Sequence, residues 1–213
     1  MTETLILLYH RPELVELALR YAPWCQLVAT AAAPEVCQPA LFLDHQGMWL
    51  CMPGYAQPYQ PSDGEIQRRA RSRVPTDLVR VCGVQLENRR VLDACAGFGS
   101  DGLLLAQRGA QVSLVEKQRL IWIMLDERAR QIANAQTICA DASQVLTDHD
   151  RQAEAWDVVL LDPMFPPTSK RALPNRGLQH LRELTESVEI EQDEILRLLL
   201  QSRQCCKGRV VLK

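Results

Sequence analysis

The sequence predicts an α/β protein, a doubly wound parallel sheet behind a small N-terminal α/β lobe. Three observations lead there. From residue 90 onward, short Val- and Leu-rich runs alternate with helical stretches, the pattern of parallel strands covered on both faces. A glycine-rich turn, DACAGFGSDG from Asp93 to Gly102, stands between the first of those runs and the first helix. A second motif, LLDPMFPP from Leu160 to Pro167, closes a later apolar run.

In chain order, Leu5–Tyr9 reads as a strand and Pro12–Tyr21 as a helix with apolar Leu14, Val15, Leu17, Ala18 and Leu19. Ala40–Leu43 and Met48–Met52 flank Asp44-His45-Gln46-Gly47 as a hairpin. PGYAQPYQPSDG reads as a linker, which sets a lobe at 1–60 and the larger domain at 61–213. Glu65–Cys82 is expected to be helical, broken near Pro75 and restarted at Thr76 and Asp77. Strands follow at Arg90–Ala96, Gln111–Glu116, Thr137–Ala140, Trp156–Leu161 and Arg209–Leu212. The helices between them are Ser100–Gln107, Gln118–Ala135 and Glu191–Cys205, with a further helix near Leu178–Thr185. Trp122 and Met124 fall in an apolar helical stripe and are expected in the core.

The 213 residues suffice for one α/β domain and a small extra lobe. A net charge of −2 gives no global basic field, so any nucleic-acid contact must come from a local patch. The eight cysteines form no C-x-x-C pair and the four histidines do not cluster with them, so no metal is expected. Free thiols and the short N-terminal apolar run fit a cytoplasmic protein without a secretion signal or membrane helix.

Gly97, Gly99 and Gly102 satisfy G-x-G-x-x-G, which lets backbone approach a ligand and alone suggests a dinucleotide site. The second motif changes that reading. An acid, a proline and an aromatic at the carboxyl end of a strand suit methyl transfer to a planar exocyclic amine. Asp162 and the carbonyl of Pro163 would accept hydrogen bonds from the amine, and Phe165 would stack on the base. Asp93 ends or nearly ends the first strand, where it could organise the turn or accept from a ligand amine. Ser100 and Asp101 begin the helix as caps. Glu116 closes the second strand, where an acid can take both ribose hydroxyls; its neighbour Lys117 is a lid or a solvated side chain. Asp141 either faces an adenine amine or caps a turn. Arg68, Arg69, Arg71 and Arg73 form either a solvated face or a phosphate patch beside the active edge, and Lys170, Arg171 and Arg176 are loop cations with the same two readings.

DACAGFGSDGLLLA, VEKQRLIWIMLDERA and LLDPMFPPTSKRAL, in this order, resemble the RsmJ family of bacterial small-subunit ribosomal RNA guanine-N2 methyltransferases, over about residues 65 to 213. The resemblance implies a Rossmann-like class I fold, S-adenosylmethionine as cofactor, S-adenosylhomocysteine as product, and a guanine in 16S rRNA or the assembled small subunit as target. It implies cofactor contacts at Ser100-Asp101, Glu116-Lys117, Asp141-Ala142 and Asp162. Two departures stand out. The stretch RRARSRVP keeps the family's arginines and loses its glycines. GRVVLK ends in what should be the fifth strand, so a sheet truncated after it is expected, with an exposed edge that partner pairing or a homodimer could cover. The alternatives are an adenine-N6 or DNA amino-methyltransferase, a catalytically silent module binding RNA or protein, and, last, a nicotinamide oxidoreductase.

Overall fold

A computed structural model describes residues 5–33, 35–149, 156–163, 175–185 and 192–213. Two sheets organise them. The first is built from β1 (Leu5–Tyr9), β2 (Cys25–Ala29), β3 (Ala40–Asp44) and β4 (Gly47–Cys51), in the order β2-β1-β3-β4. β1 pairs in parallel with both β2 and β3, while β3 and β4 form the antiparallel hairpin. A 3₁₀ turn at Pro12–Leu14 leads into α1 (Val15–Leu19), the crossover between β1 and β2. β2 is not anticipated in the sequence, because CQLVA is short and mostly solvent-facing.

The second sheet contains β5 (Arg90–Asp93), β6 (Gln111–Glu116), β7 (Ala135–Cys139), β8 (Trp156–Leu161) and β9 (Cys206–Leu212). Its order is β7-β6-β5-β8-β9, and every pairing is parallel. Strand order therefore reverses between β5 and β8. In open α/β sheets that reversal opens a crevice at the strands' carboxyl ends. The helices are α2 (Asp63–Arg71), α3 (Asp77–Cys82), α4 (Ser100–Gln107), α5 (Arg119–Ala129), α6 (Ala142–His149), α7 (Arg176–Leu184) and α8 (Gln192–Cys205). α2 and α3 reproduce the expected break, with the Thr76 hydroxyl capping Val79.

α5 stops at Ala129, six residues before the expected end, because the chain must turn to open β7 at Ala135. Its residues Leu120 to Leu125 are all buried, six successive apolar side chains that cover every side of the helix over that stretch. Leu120 to Met124 pack with Leu7, Leu41, Leu43 and Leu50 of the first sheet, whereas Leu125 and Ala129 join the core of the second. Trp24 meets Trp122 edge-on at 4.9 Å, extending this packing. One helix thus welds the two sheets together.

The proline-rich stretch after β4 is not the free linker its composition suggests. Tyr59 pairs with Leu50 through two backbone hydrogen bonds of 2.8 Å. The rings of Tyr55 and Tyr59 lie 4.6 and 5.0 Å from that of buried His180 on α7. The tyrosines turn a segment of loop composition into a packed strap. β5 also ends earlier than expected, at Asp93. Ala94 and Ala96 still donate to Leu160 and Val115 as the chain bends into the glycine turn.

Candidate functional site

Asp93, Glu116, Asp141 and Asp162 lie along the carboxyl edge of the second sheet. β5 delivers Asp93, which is 2% exposed and accepts backbone hydrogen bonds from Cys95 and Gly102. Burial, then the nearby charges of Asp101 and Asp162, push its carboxyl up to about 7. A Cβ on Gly102 would sit 2.7 Å from the Asp93 carboxylate, so only glycine admits this approach. Gly97 and Gly99 adopt φ of 53° and 81°, the left-handed region that suits glycine.

Ser100 and Asp101 are not caps. Gly99 holds the N-cap position without a side-chain acceptor, because its left-handed geometry turns the chain directly into α4. Ser100 is exposed, and Asp101 instead accepts a hydrogen bond from Lys213. Glu116, at the end of β6, accepts from Gly97 N at 3.1 Å and from Gln118 N at 2.7 Å. Burial raises its carboxyl, and these N–H donors oppose the shift. Each carboxylate oxygen retains acceptor capacity beyond those bonds. Lys117 is exposed beside it.

Asp141 follows β7 and accepts from both the backbone N and the hydroxyl of Ser143, at 2.9 and 2.7 Å, which caps the turn into α6. Burial raises its carboxyl, but the Ser143 bonds and the Lys117 charge outweigh that and hold it low. Its turn-capping geometry is therefore real, and Ala142 opens the helix it caps. Neither β7's exact bounds nor α6 is legible in the polar sequence ASQVLTDH.

β8 delivers Asp162, whose side chain is 38% exposed, and buried Pro163. Asp162 accepts from Lys213 Nζ at 2.8 Å, and the same ammonium reaches Asp101 at 2.7 Å. Lys213 follows β9, whose parallel pairing with β8 carries it there; its backbone N donates to Leu161. Sequence reasoning missed it, although a cation just past the strand beside β8 is the signal that would have found it. Arg128 was also missed. From α5 it reaches Asp63 at 2.6 Å and donates to the carbonyl of Phe98, so it ties α2 to the glycine turn. Phe165, Lys170 and Arg171 lie outside the described residues.

The arginine patch does not sit beside this edge. Arg108, at the C-terminal end of α4, donates to the carbonyls of Arg69 and Ser72. α2 packs along α4 with Asp63 near the glycine turn, so Arg69 and its neighbours trail to the far end of α4, about 12 Å away at 1.5 Å per residue. Arg68, Arg71 and Arg73 are exposed there. Arg176 is likewise committed, donating to the carbonyl of Gln57 and lying over the Tyr55 ring. A cavity of about 450 Å³ opens among Gly83, Arg89, Asp157 and Arg209 at the amino end of the sheet, and no candidate residue lines it.

Comparison with known proteins bears on this edge. A model of the family SAM_MT, SAM-dependent methyltransferases, matches residues 61–213. Ribosomal RNA small subunit methyltransferase J from Alkalilimnicola ehrlichii is 34% identical over 193 residues, 82% of this chain and 72% of that protein. The protein of the same name from Acinetobacter baumannii is 36% identical over 140 residues, 60% of this chain and 49% of its own length. That from Pseudomonas aeruginosa is 40% identical over 116 residues, 50% and 44% of the two chains. The chain thus spans about half the length of two of these relatives. The crystal structure of a SAM-dependent methyltransferase from Neisseria gonorrhoeae superposes with a TM-score of 0.69 at 23% identity, covering 97% of this chain and 83% of that one, and so shares the fold.

Proposed function

This chain belongs to the SAM-dependent methyltransferase family, with the ribosomal RNA small subunit methyltransferase J proteins among its relatives, and on that premise we propose that it methylates the exocyclic N2 amine of a guanine in 16S rRNA of the small ribosomal subunit. The observation that carries this reading is the adjacency of the two motifs. β5 and β8 pair in register, Asp93 opposite Leu160, so the glycine turn and Asp162-Pro163 leave the sheet side by side at its reversal point.

The residues fit S-adenosylmethionine. Gly97 and Gly99 leave backbone bare for close approach, Glu116 would offer acceptors to the ribose hydroxyls, and Asp141 with Ala142 would meet the adenine. Asp93, whose carboxyl feels the charges of Asp101 and Asp162, would with them surround the amino-acid end. The cofactor, when bound, supplies an electrophilic methyl group on a sulfonium. The chain's own task is positioning. Asp162 and the Pro163 carbonyl accept the two N–H groups of the amine and aim its nitrogen at the methyl. Asp162 or water would take the proton that the nitrogen loses as its new bond to the methyl replaces the methyl's bond to sulfur, leaving the thioether. Phe165 is the proposed stacking face for the base, which must be unpaired or flipped at a cost of about a few kcal/mol.

Lys170 and Arg171, eight and nine residues past Asp162, are the proposed phosphate contacts nearest the target. Arg68, Arg69, Arg71 and Arg73 would touch RNA only at a second place, beyond the far end of α4. Action on ribosomal RNA implies a cytoplasmic site of work, and among the described residues no helix is long and apolar enough to cross a membrane. The test is transfer of labelled methyl to small subunits, to 16S rRNA and to DNA, with nuclease mapping of the product base. Methylation of guanine N2 in subunits or rRNA supports the reading. Label on adenine or on DNA would replace it with the amino-methyltransferase alternative, and no label with S-adenosylhomocysteine bound would leave a silent binding module.

A further inference from the structure

Lys213 is the cation of the carboxyl edge that meets Asp101 and Asp162. Its ammonium has three donors, and the bonds to Asp101 at 2.7 Å and Asp162 at 2.8 Å use two of them. The side chain is 52% exposed, whereas Asp101 is 14% exposed. Among the described residues, one donor of this half-open ammonium is thus left for a ligand. Burial pulls the ammonium down, but the hydrogen bonds it donates to both carboxylates outweigh that and keep it charged. Among the described residues a second ammonium at this edge, Lys117, lies on the β6 side, where Glu116 and Asp141 feel its charge. Asp93 adds a third acid beneath the pair, and its carboxyl feels the charges of both.

A cation held between carboxylates is the complement of a zwitterionic α-amino acid: a carboxylate seats on the ammonium while an ammonium seats on the flanking acids. We propose that Lys213 binds the α-carboxylate of the cofactor's amino-acid end, with Asp101 and Asp162 taking its ammonium. This rests on the methyltransferase reading above, and it assigns a residue that the glycine and Asp-Pro motifs do not contain. The two aspartates do more than neutralise the lysine. They fix its side chain in advance, so little rotamer freedom remains to be lost when ligand binds.

The competing role is a mere counter-ion that lowers repulsion among the three acids. The two roles part on ligand choice. S-adenosylhomocysteine carries the amino-acid end; 5′-methylthioadenosine keeps the adenosine and thioether and lacks it. Calorimetric titration of both ligands into wild type, Lys213→Met and Lys213→Arg separates them. The proposal expects Lys213→Met to weaken S-adenosylhomocysteine about tenfold to a hundredfold, as for loss of one charge-assisted hydrogen bond. It expects 5′-methylthioadenosine to be unchanged and Lys213→Arg to restore most of the loss. An equal change for both ligands, or S-adenosylhomocysteine bound as well as by wild type, overturns it. Wild type that binds neither ligand would defeat the cofactor reading itself.

Discussion

Glu116 Oε2 accepts the backbone N–H of Gly97 at 3.1 Å, so the acid that ends β6 also holds the glycine turn that follows β5. Its second oxygen accepts Gln118 N at 2.7 Å. Turn geometry, and under the proposed function ligand contact as well, therefore depend on one side chain. Glu116→Gln turns an N–H donor toward one of these two donors. It is expected to cost about 1–3 kcal/mol in stability and to weaken S-adenosylhomocysteine about tenfold or more. Urea denaturation and calorimetry check the pair of effects, and unchanged ligand affinity would separate Glu116 from the cofactor.

Gly99→Ala tests the turn itself. A Cβ there would collide with Leu125 and crowd Leu103, at a φ of 81° that side chains resist. Strain and overpacking together should cost on the order of 2–4 kcal/mol. The melting temperature should fall and ligand binding with it. A variant as stable as wild type would mean that the turn is not held as described.

Asp93 makes stability pH-dependent. Burial first, then Asp101 and Asp162, raise its carboxyl from 3.8 to about 7. A carboxyl raised by folding stabilises the native state when protonated. That contribution is fully present below the unfolded pKa of about 4 and is lost as pH rises through about 7. The loss should be on the order of a few kcal/mol. Asp93→Asn stays neutral throughout, so the difference in urea midpoint between variant and wild type should widen in the variant's favour from about pH 4.5 to 7.5. A difference that stays flat across that range would contradict the raised value.

Tyr21 tests the join between lobe and sheet. Its hydroxyl donates toward Asp126 at 3.0 Å and Glu127 at 3.1 Å on α5, and Thr137 reaches the other Asp126 oxygen at 2.6 Å. Tyr21→Phe should lower stability by about 1 kcal/mol and leave S-adenosylhomocysteine affinity unchanged. A loss of affinity would show that the lobe reports to the site through α5.

Much of this was legible because the governing forces are local. Ser100–Gln107 and Gln111–Glu116 stand where helix and strand periodicity put them, Asp93 and Glu116 end their strands, and Asp162 directly follows its own. What was hidden depends on tertiary partners. Nothing in the proline-rich segment announces that Tyr55 and Tyr59 will pack on His180. The arginines after Glu65 are a patch by composition, and only the hydrogen bonds of Arg108 reveal that they sit away from the glycine turn. Lys213 was hidden because its role arises from the β8–β9 pairing, which joins residues 51 apart.

The most direct measurement is labelled methyl transfer to small ribosomal subunits that lack the modification, by wild type and by Asp162→Asn, with S-adenosylhomocysteine binding measured on both. The account predicts incorporation at guanine N2 by wild type and a loss of at least about a hundredfold in the variant, as expected when a group acting on the transition state is removed. Incorporation by Asp162→Asn at the wild-type rate, or none by wild type that binds S-adenosylhomocysteine, would contradict it.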